Sequence, residues 1–239
     1  MSPRPASRRP SPEALQAAYG AVVPDLVRPG LRVLLCGINP SLWSGVTGHH
    51  FANPSNRLWP VLHASGWTPR RLHPSETGAL LDAGIGVTNL VPRATARADE
   101  LDDEELRAGL PRLAALAGRV RPAWVGVLGL SAWRVAAGER RAAVGPQERR
   151  VGGAPVWLLP NPSGLNASWQ LPRLAEAYGA LREAAEAAAA AGAGSAGAGG
   201  REDHDEEDEE QQRGERQAEV DPRGDDAALH EPLTGEAPA

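Results

Sequence analysis

The chain has 239 residues, of which 41% are hydrophobic, enough for one domain with a single core and additional segments. Its only cysteine, Cys36, excludes internal disulfides, a four-cysteine zinc site and a cysteine-ligated iron–sulfur cluster. The net charge of −5 is unevenly spread: residues 1–190 carry 21 Arg against 15 acidic residues (+6), whereas residues 191–239 carry 4 Arg against 15 (−11). The larger part is therefore basic, as a phosphate-binding surface requires.

The two ends of the chain differ in composition from its middle. Residues 1–24 begin with Pro, Ser and Arg, without the apolar segment of a secretory signal, and we expect a disordered or weakly ordered arm. Residues 191–239 join a Gly/Ala/Ser linker to an acidic run, and we expect a disordered acidic tail. Because no apolar stretch reaches the ~18–20 residues of a membrane span, an intracellular chain without membrane contact is expected.

Four short apolar runs between these ends are predicted to be strands, and helical patterns separate them. The predicted strands are residues 31–36, 86–91, 124–128 and 156–159. The predicted helices are residues 56–64, 75–83, 101–120, 131–137 and 171–186, with Ser131 as an N-cap. Pro111 leaves open whether the third helix is kinked or divided into two. This alternation predicts a three-layer α/β/α fold with a central, mostly parallel four-stranded sheet.

In such a sheet, ligands bind outside the carboxyl ends of the strands, so the segments that follow the strands are the functional candidates. GINPS (residues 37–41) follows the first strand, and its Asn39 has no evident packing role. PRATARADE (residues 92–100) follows the second. PNPSGLN (residues 160–166) follows the fourth and is stiffened by two prolines. Leu165 is apolar in this rigid loop, which suits a wedge between stacked bases.

A further polar segment, residues 47–57, contains Phe51, the only phenylalanine of the chain. An aromatic side chain in a polar loop can stack on a nucleic-acid base. The adjacent His49 and His50 have no carboxylate or cysteine near them in sequence, so no metal site is predicted there.

The motifs GINPS, GHHFANPSNRLW, GVTNLV and LLPNPSGLN, in this order, resemble the mismatch-specific uracil/thymine DNA glycosylases of the uracil-DNA glycosylase superfamily. The resemblance covers roughly residues 30–182 and implies a catalytic domain over residues 25–190. It also implies a partner, double-stranded DNA with a mispaired or damaged base. No cofactor or metal, a monomer, and a cytoplasmic, nucleoid-associated location are expected.

The same resemblance implies roles for individual residues. Asn39 would position the hydrolytic water, and Phe51 would stack on the extruded base. The backbone at Ile38 and Phe51 would read the pyrimidine edge, and Ser44 would lie near the base's C5, where it influences whether the methyl group of thymine is admitted. The wedge loop would fill the hole left by the base and contact the opposite guanine; its residues are Asn161, Ser163, Gly164, Leu165 and Asn166.

The chain also departs from the pattern of these relatives. Ser41 stands where Gly is frequent, Trp43 is bulkier than usual, and Pro92 replaces an acidic residue found in some members. No Arg follows Leu165 closely, which bears on discrimination for the opposite guanine.

The composition restricts the chemistry, and other interpretations stay open. The chain contains no lysine, so a lyase reaction through a lysine Schiff base is impossible and a monofunctional enzyme is predicted. One alternative is a broader glycosylase for uracil, hypoxanthine or xanthine, and another is a mismatch-binding protein without catalysis. A hydrolase using Ser131 is disfavoured, because Trp133 occupies the second glycine of a GxSxG motif. The acidic tail could mimic DNA and inhibit the enzyme, or only improve solubility.

Overall fold

The computed structural model describes residues 9–197, and the chain divides into two units, Met1–Gly194 and Ser195–Ala239. The strands are β1 (Val33–Gly37), β2 (Ile85–Asn89), β3 (Trp124–Leu128), β4 (Gly145–Val151) and β5 (Ala154–Leu159). The α-helices are α1 (Pro12–Ala17), α2 (Leu42–Thr47), α3 (Leu58–Ala64), α4 (Thr77–Asp82), α5 (Asp103–Val120), α6 (Leu130–Ala137) and α7 (Leu171–Gly197). The first eight residues of the predicted arm and the predicted tail after residue 197 lie outside the described residues.

The strands form one sheet in the order β2-β1-β3-β5-β4. The strands β2, β1, β3 and β5 are parallel to one another, and β4 pairs antiparallel with β5. Side chains alternate between the two faces of the sheet. Along β1, Leu34 and Cys36 join the core formed with α5 and α6, while Val33 and Leu35 join the core formed with α3, α4 and α7. The predicted three-layer, mostly parallel α/β fold is therefore confirmed, with five strands instead of four.

The fifth strand, β4, was absent from the sequence-based prediction because it is an edge strand. Its sequence GPQERRV is polar and largely exposed, so it lacks the apolar pattern that identified the buried strands. Gly152 and Gly153 join it to β5, and both have positive φ (58° and 85°), as a two-residue hairpin turn requires. This Gly-Gly pair between two strands was the available signal.

Several helix boundaries also differ from expectation. The helices α1 and α2 were not predicted, because six residues are too few for a helical repeat to show; Ser11 and Ser41 cap them. Ser131 is not an N-cap, since α6 begins one residue earlier and Gly129 precedes it. Pro111 lies inside one helix, and α7 continues to Gly197, past the predicted end at residue 186. No helix within residues 9–197 is long and apolar enough to cross a membrane.

Candidate active site

The segments that follow the parallel strands meet around one cavity of about 670 Å³ at the carboxyl edge of the sheet. Its lining includes every residue that the sequence marked as a site candidate: Ile38, Asn39, Ser44, Phe51, Asn161, Ser163, Gly164, Leu165 and Asn166. Residues 95–99, after β2, and residues 129–131, after β3, complete the wall. Parallel strands place the residues that follow them at a common edge, which explains why segments more than 100 residues apart converge here.

The amide of Asn39 is held in one orientation. Its Nδ2 donates to the carbonyl of Arg93 at 3.1 Å and to Oγ1 of Thr95 at 2.6 Å. The Thr95 hydroxyl donates its own proton to the carbonyl of Arg97 at 2.7 Å, so Thr95 can only accept from Asn39. Both donors of the Asn39 amide are therefore used, and its Oδ1, which has no protein partner among the described residues, is left as an acceptor at the cavity.

The segment after β2, which contains Thr95, is anchored by an ion pair between Arg93 and Glu105. The guanidinium of Arg93 bonds both carboxylate oxygens of Glu105 in the first turn of α5. This hydrogen bond from Arg93, assisted by the backbone N–H of Asp102, lowers the pKa of Glu105 to about 2. The sequence marked residues 92–100 as functional but did not indicate Thr95, because its role depends on a partner 56 residues earlier.

Phe51 forms part of the cavity floor in a strained backbone conformation. Its φ is +50°, a left-handed value that costs a non-glycine residue roughly 1–2 kcal/mol. The indole of Trp59 donates to the Phe51 carbonyl at 3.1 Å and holds this turn. The ring lies over Gly37, where an added Cβ would sit 2.9 Å from Phe51 Cζ and 2.4 Å from Asn89 Oδ1. Only glycine at position 37 allows the ring and the amide to approach the strand end together.

Asn89, the last residue of β2, is a buried wall residue that the sequence did not indicate as functional. Its Nδ2 lies 3.3 Å from His50 Nδ1, and His50 Nε2 lies 2.9 Å from the Pro24 carbonyl. Because a carbonyl only accepts, Nε2 carries the His50 proton and Nδ1 accepts from Asn89. Burial lowers the pKa of His50, which favours this neutral form. Asn89 Oδ1 therefore faces away from the histidine and remains an acceptor.

Ser44 connects α2 to the segment that carries Phe51. It is buried, its Oγ accepts from the backbone N–H of Ala52 at 3.3 Å, and it lies 3.2 Å from Oγ of Ser41. The hydroxyl thus has protein partners as well as a place in the cavity wall.

The wedge loop, defined as residues 161–166, presents Leu165 to solvent with 88% of its surface exposed. Local hydrogen bonds shape the loop: the Ser163 N–H donates to Asn161 Oδ1 at 3.0 Å, and Asn166 Nδ2 donates to the Asn161 carbonyl at 3.0 Å. Gly164 passes so close to Ser55 that an added Cβ would lie 2.6 Å from the Ser55 carbonyl oxygen. The loop therefore rests directly on the segment that also carries Phe51.

Arg57 links these two segments and was likewise not indicated by the sequence. Its guanidinium donates to the carbonyls of Ser163 (2.5 Å), Asn166 (2.8 Å) and Trp169 (2.7 Å). Its buried Nε has no hydrogen-bond partner, and within the described range no carboxylate pairs with it. The hydrogen bonds of this half-buried guanidinium all go to backbone carbonyls of residues 163–169. The main structural effect of Arg57 is therefore to hold the wedge loop.

The remaining candidates carry no site of their own. Ser131 is exposed in the first turn of α6, and the described residues provide no His or acid hydrogen-bonded to it. His50 is occupied by Pro24 and Asn89, and no group of three potential metal ligands occurs within residues 9–197.

Comparisons with known proteins identify the family and support the fold. The model of the uracil DNA glycosylase superfamily matches residues 24–185, which is more than half of the chain. A solution NMR structure of a candidate uracil DNA glycosylase from Methanosarcina acetivorans matches with a TM-score of 0.50 and 20% sequence identity. That match covers 69% of this chain and 97% of the archaeal one, and at this identity it supports the fold.

Proposed function

The chain belongs to the uracil DNA glycosylase superfamily, and from this premise we propose that it is a monofunctional glycosylase that removes uracil from G·U mismatches in DNA. The observation that carries the proposal is the fixed amide of Asn39, whose acceptor oxygen is left at a cavity of sufficient size for an extruded base. Thymine opposite guanine and etheno-cytosine are further candidate substrates.

The reaction begins with extrusion of the base, because a stacked base is out of reach of the cavity. Unpairing costs a few kcal/mol, and least for a mispaired base, which favours G·U over A·U. Leu165 would occupy the vacated position in the duplex, while Phe51 would stack on the base inside the cavity. Arg57 holds the segment of Phe51 against the wedge loop, so both contacts can form when the enzyme binds the duplex.

Base selection is assigned to Asn89 and to the backbone at Ile38 and Phe51. With Nδ2 turned toward His50, Asn89 offers an oxygen acceptor. The N3–H of uracil or thymine can donate to such an acceptor, whereas cytosine has an unprotonated N3 that would be repelled. The N–H groups at residues 38 and 51 would stabilise negative charge on the departing pyrimidine.

In the chemical step, a water molecule that donates a hydrogen bond to Asn39 Oδ1 attacks C1′ of the deoxyribose. The bond from C1′ to the base nitrogen breaks, its electron pair leaves with the base, and the water proton is released to solvent or to the base. An amide does not act as a base at neutral pH, so Asn39 contributes orientation rather than proton transfer. The products are the free base and an abasic site, and the chain has no lysine to cleave the strand further.

The proposal is tested with labelled duplexes containing G·U, A·U, G·T or G·C and with single-stranded uracil DNA, each resolved with and without alkali. We expect cleavage at G·U only after alkali treatment, faster than at A·U. Cleavage without alkali would contradict the monofunctional mechanism, and equal rates at G·U and A·U would contradict mismatch preference. Binding of mismatches without base release would favour the non-catalytic alternative, and release of hypoxanthine or xanthine from matching duplexes would favour the broader one.

A further inference from the structure

Arg173 lies in the first turn of α7, and its guanidinium contacts two residues of the cavity wall. Its Cζ lies 4.5 Å from the ring centroid of Trp169, in a cation–π contact, and its Nη1 lies 3.4 Å from the Ser168 carbonyl. Ser168 and Trp169 both belong to the cavity wall. The Trp169 carbonyl is in turn bonded by Arg57, so the platform of Arg173 is fixed to the same side chain that holds the wedge loop.

The guanidinium of Arg173 is exposed and is not paired with a carboxylate among the described residues. In the part of the chain that the structure describes, Arg173 makes no ion pair and α7 has no acidic residue in its first turn. The two other arginines of this region are engaged: Arg97, in the cavity wall, is paired with Asp99, and Arg57 bonds loop carbonyls. Arg173 is therefore the exposed guanidinium beside the wedge loop that is available to an anion.

The position of Arg173 is also unfavourable when no ligand is bound. A cation near the N-terminus of a helix opposes the helix dipole, which is destabilising. Stacking on Trp169 leaves one planar face and the guanidinium edge for a ligand and restricts the side chain before binding, which reduces the entropy lost when a ligand is bound. Planar bidentate donors of this kind match phosphate oxygens.

We propose that Arg173, positioned by Trp169, binds a DNA backbone phosphate next to the site where the wedge loop enters the duplex. The inference rests on the proposed function, because it requires DNA to lie across the cavity. A phosphate is favoured over a base edge because Arg173 is exposed and does not line the cavity, and about half to two-thirds of protein–DNA hydrogen bonds go to the sugar-phosphate backbone.

The test is the salt dependence of binding by the full chain to a fluorescent duplex that carries a tetrahydrofuran abasic analogue opposite guanine, which cannot be cleaved. Arg173→Gln is compared with Arg173→Lys and with Arg119→Gln. Arg119 is a matched control: it is exposed and without an ion pair among the described residues, and its Nη1 also lies 3.4 Å from a carbonyl, that of Ala115. It lies near the end of α5, just before β3, at the opposite edge of the sheet from the cavity.

Loss of one phosphate contact lowers the slope of log K against log salt by about 1. We expect this decrease for Arg173→Gln, together with a roughly 3- to 10-fold weaker affinity at low salt, while Arg119→Gln matches the wild type. Arg173→Lys should keep the slope and lose part of the affinity. An unchanged slope in Arg173→Gln, or an equal decrease in Arg119→Gln, would each overturn the inference. Base release from G·U by the wild type is measured separately and reports on the proposed function alone.

Discussion

At the scale of single residues, Thr95 determines which way the Asn39 amide faces. Its hydroxyl accepts from Asn39 Nδ2 because its proton is committed to the Arg97 carbonyl. Without that acceptor, the Asn39 amide can rotate and present Nδ2 to the cavity, where it cannot accept a hydrogen bond from the attacking water.

We therefore expect Thr95→Val to lower the single-turnover rate of base release by roughly 10- to 100-fold, since an unmade buried hydrogen bond costs about 1–3 kcal/mol. Thr95→Ser keeps the hydroxyl and should retain most of the rate. Both rates are measured on a G·U duplex at saturating enzyme, with affinity for abasic DNA as the control. A loss in Thr95→Ser as large as the loss in Thr95→Val would contradict the assignment of the effect to the hydroxyl.

His50 provides a second residue-scale prediction, on stability. Burial lowers its pKa below the ordinary value of 6.5, and the Pro24 hydrogen bond and the Asp25 carboxylate only partly offset this. As the pH falls below about 6.5, the unfolded chain binds a proton that the folded chain does not, so the free energy of unfolding decreases until the folded pKa is reached. His50→Gln, which keeps a donor and an acceptor, should reduce this pH dependence.

The measurement is urea unfolding between about pH 5 and pH 7.5, a range that brackets the ordinary histidine pKa. His73→Gln, at an exposed position, serves as the control and should follow the wild type. Parallel curves for His50→Gln and the wild type would contradict the assigned neutral, buried state.

Asn39 could be predicted because its segment follows a strand directly, and Phe51 because it is an aromatic residue in a polar segment. Both features can be read from the neighbouring sequence. Asn89 and Thr95 could not be predicted, since their partners lie 39 and 56 residues away. Composition did contain one unused signal. All six asparagines of the chain line the cavity. The chain has no lysine, and the codons of lysine and asparagine both begin with two adenines.

At the scale of elements, the buried parallel strands were predictable because both of their faces are apolar. The edge strand β4 was not, since it pairs through its backbone while its side chains stay polar, and α1 and α2 were too short to show a helical period. The rule that ligands bind at the carboxyl edge nevertheless predicted which segments line the cavity, because the rule depends on the parallel strands alone.

The wedge loop is held by Arg57, a residue more than 100 positions earlier in the chain. If Arg57 acts by holding this loop, its effect on catalysis passes through Leu165. We expect Arg57→Met and Leu165→Ala each to slow base release from a G·U duplex by roughly tenfold or more, and the double variant to be no slower than the worse single one.

The readouts are the single-turnover rates of the four proteins and hydrogen exchange of residues 161–169, which should increase in Arg57→Met and not in Leu165→Ala. Multiplicative losses in the double variant would mean that Arg57 acts independently of the wedge. Unfolding curves for each variant separate loop effects from loss of the fold.

At the scale of the whole molecule, charge is divided between a basic domain and an acidic C-terminal stretch. The charged residues that give residues 191–239 a net charge of −11 all lie after residue 200. Removal of residues 198–239 therefore changes the net charge of the chain from −5 to +6. We expect the shortened chain to associate with duplex DNA faster at low ionic strength, with the difference disappearing as salt screens the charges.

Stopped-flow association at several salt concentrations measures this effect, and the base-release rate at saturating enzyme is its control. Identical association rates at low salt would show that the acidic stretch does not oppose DNA binding.

The proposed role of Asn39, to orient the attacking water, is tested by single-turnover release of uracil from a G·U duplex by the wild type and by Asn39→Ala. Gln16→Ala removes an exposed amide on α1 and is the matched control. We expect release at equal rates by the wild type and Gln16→Ala, and a loss of at least about 100-fold (2.7 kcal/mol at 1.36 kcal/mol per tenfold) in Asn39→Ala, with unchanged binding of the abasic duplex. Release of uracil by Asn39→Ala at the wild-type rate would contradict this role of Asn39.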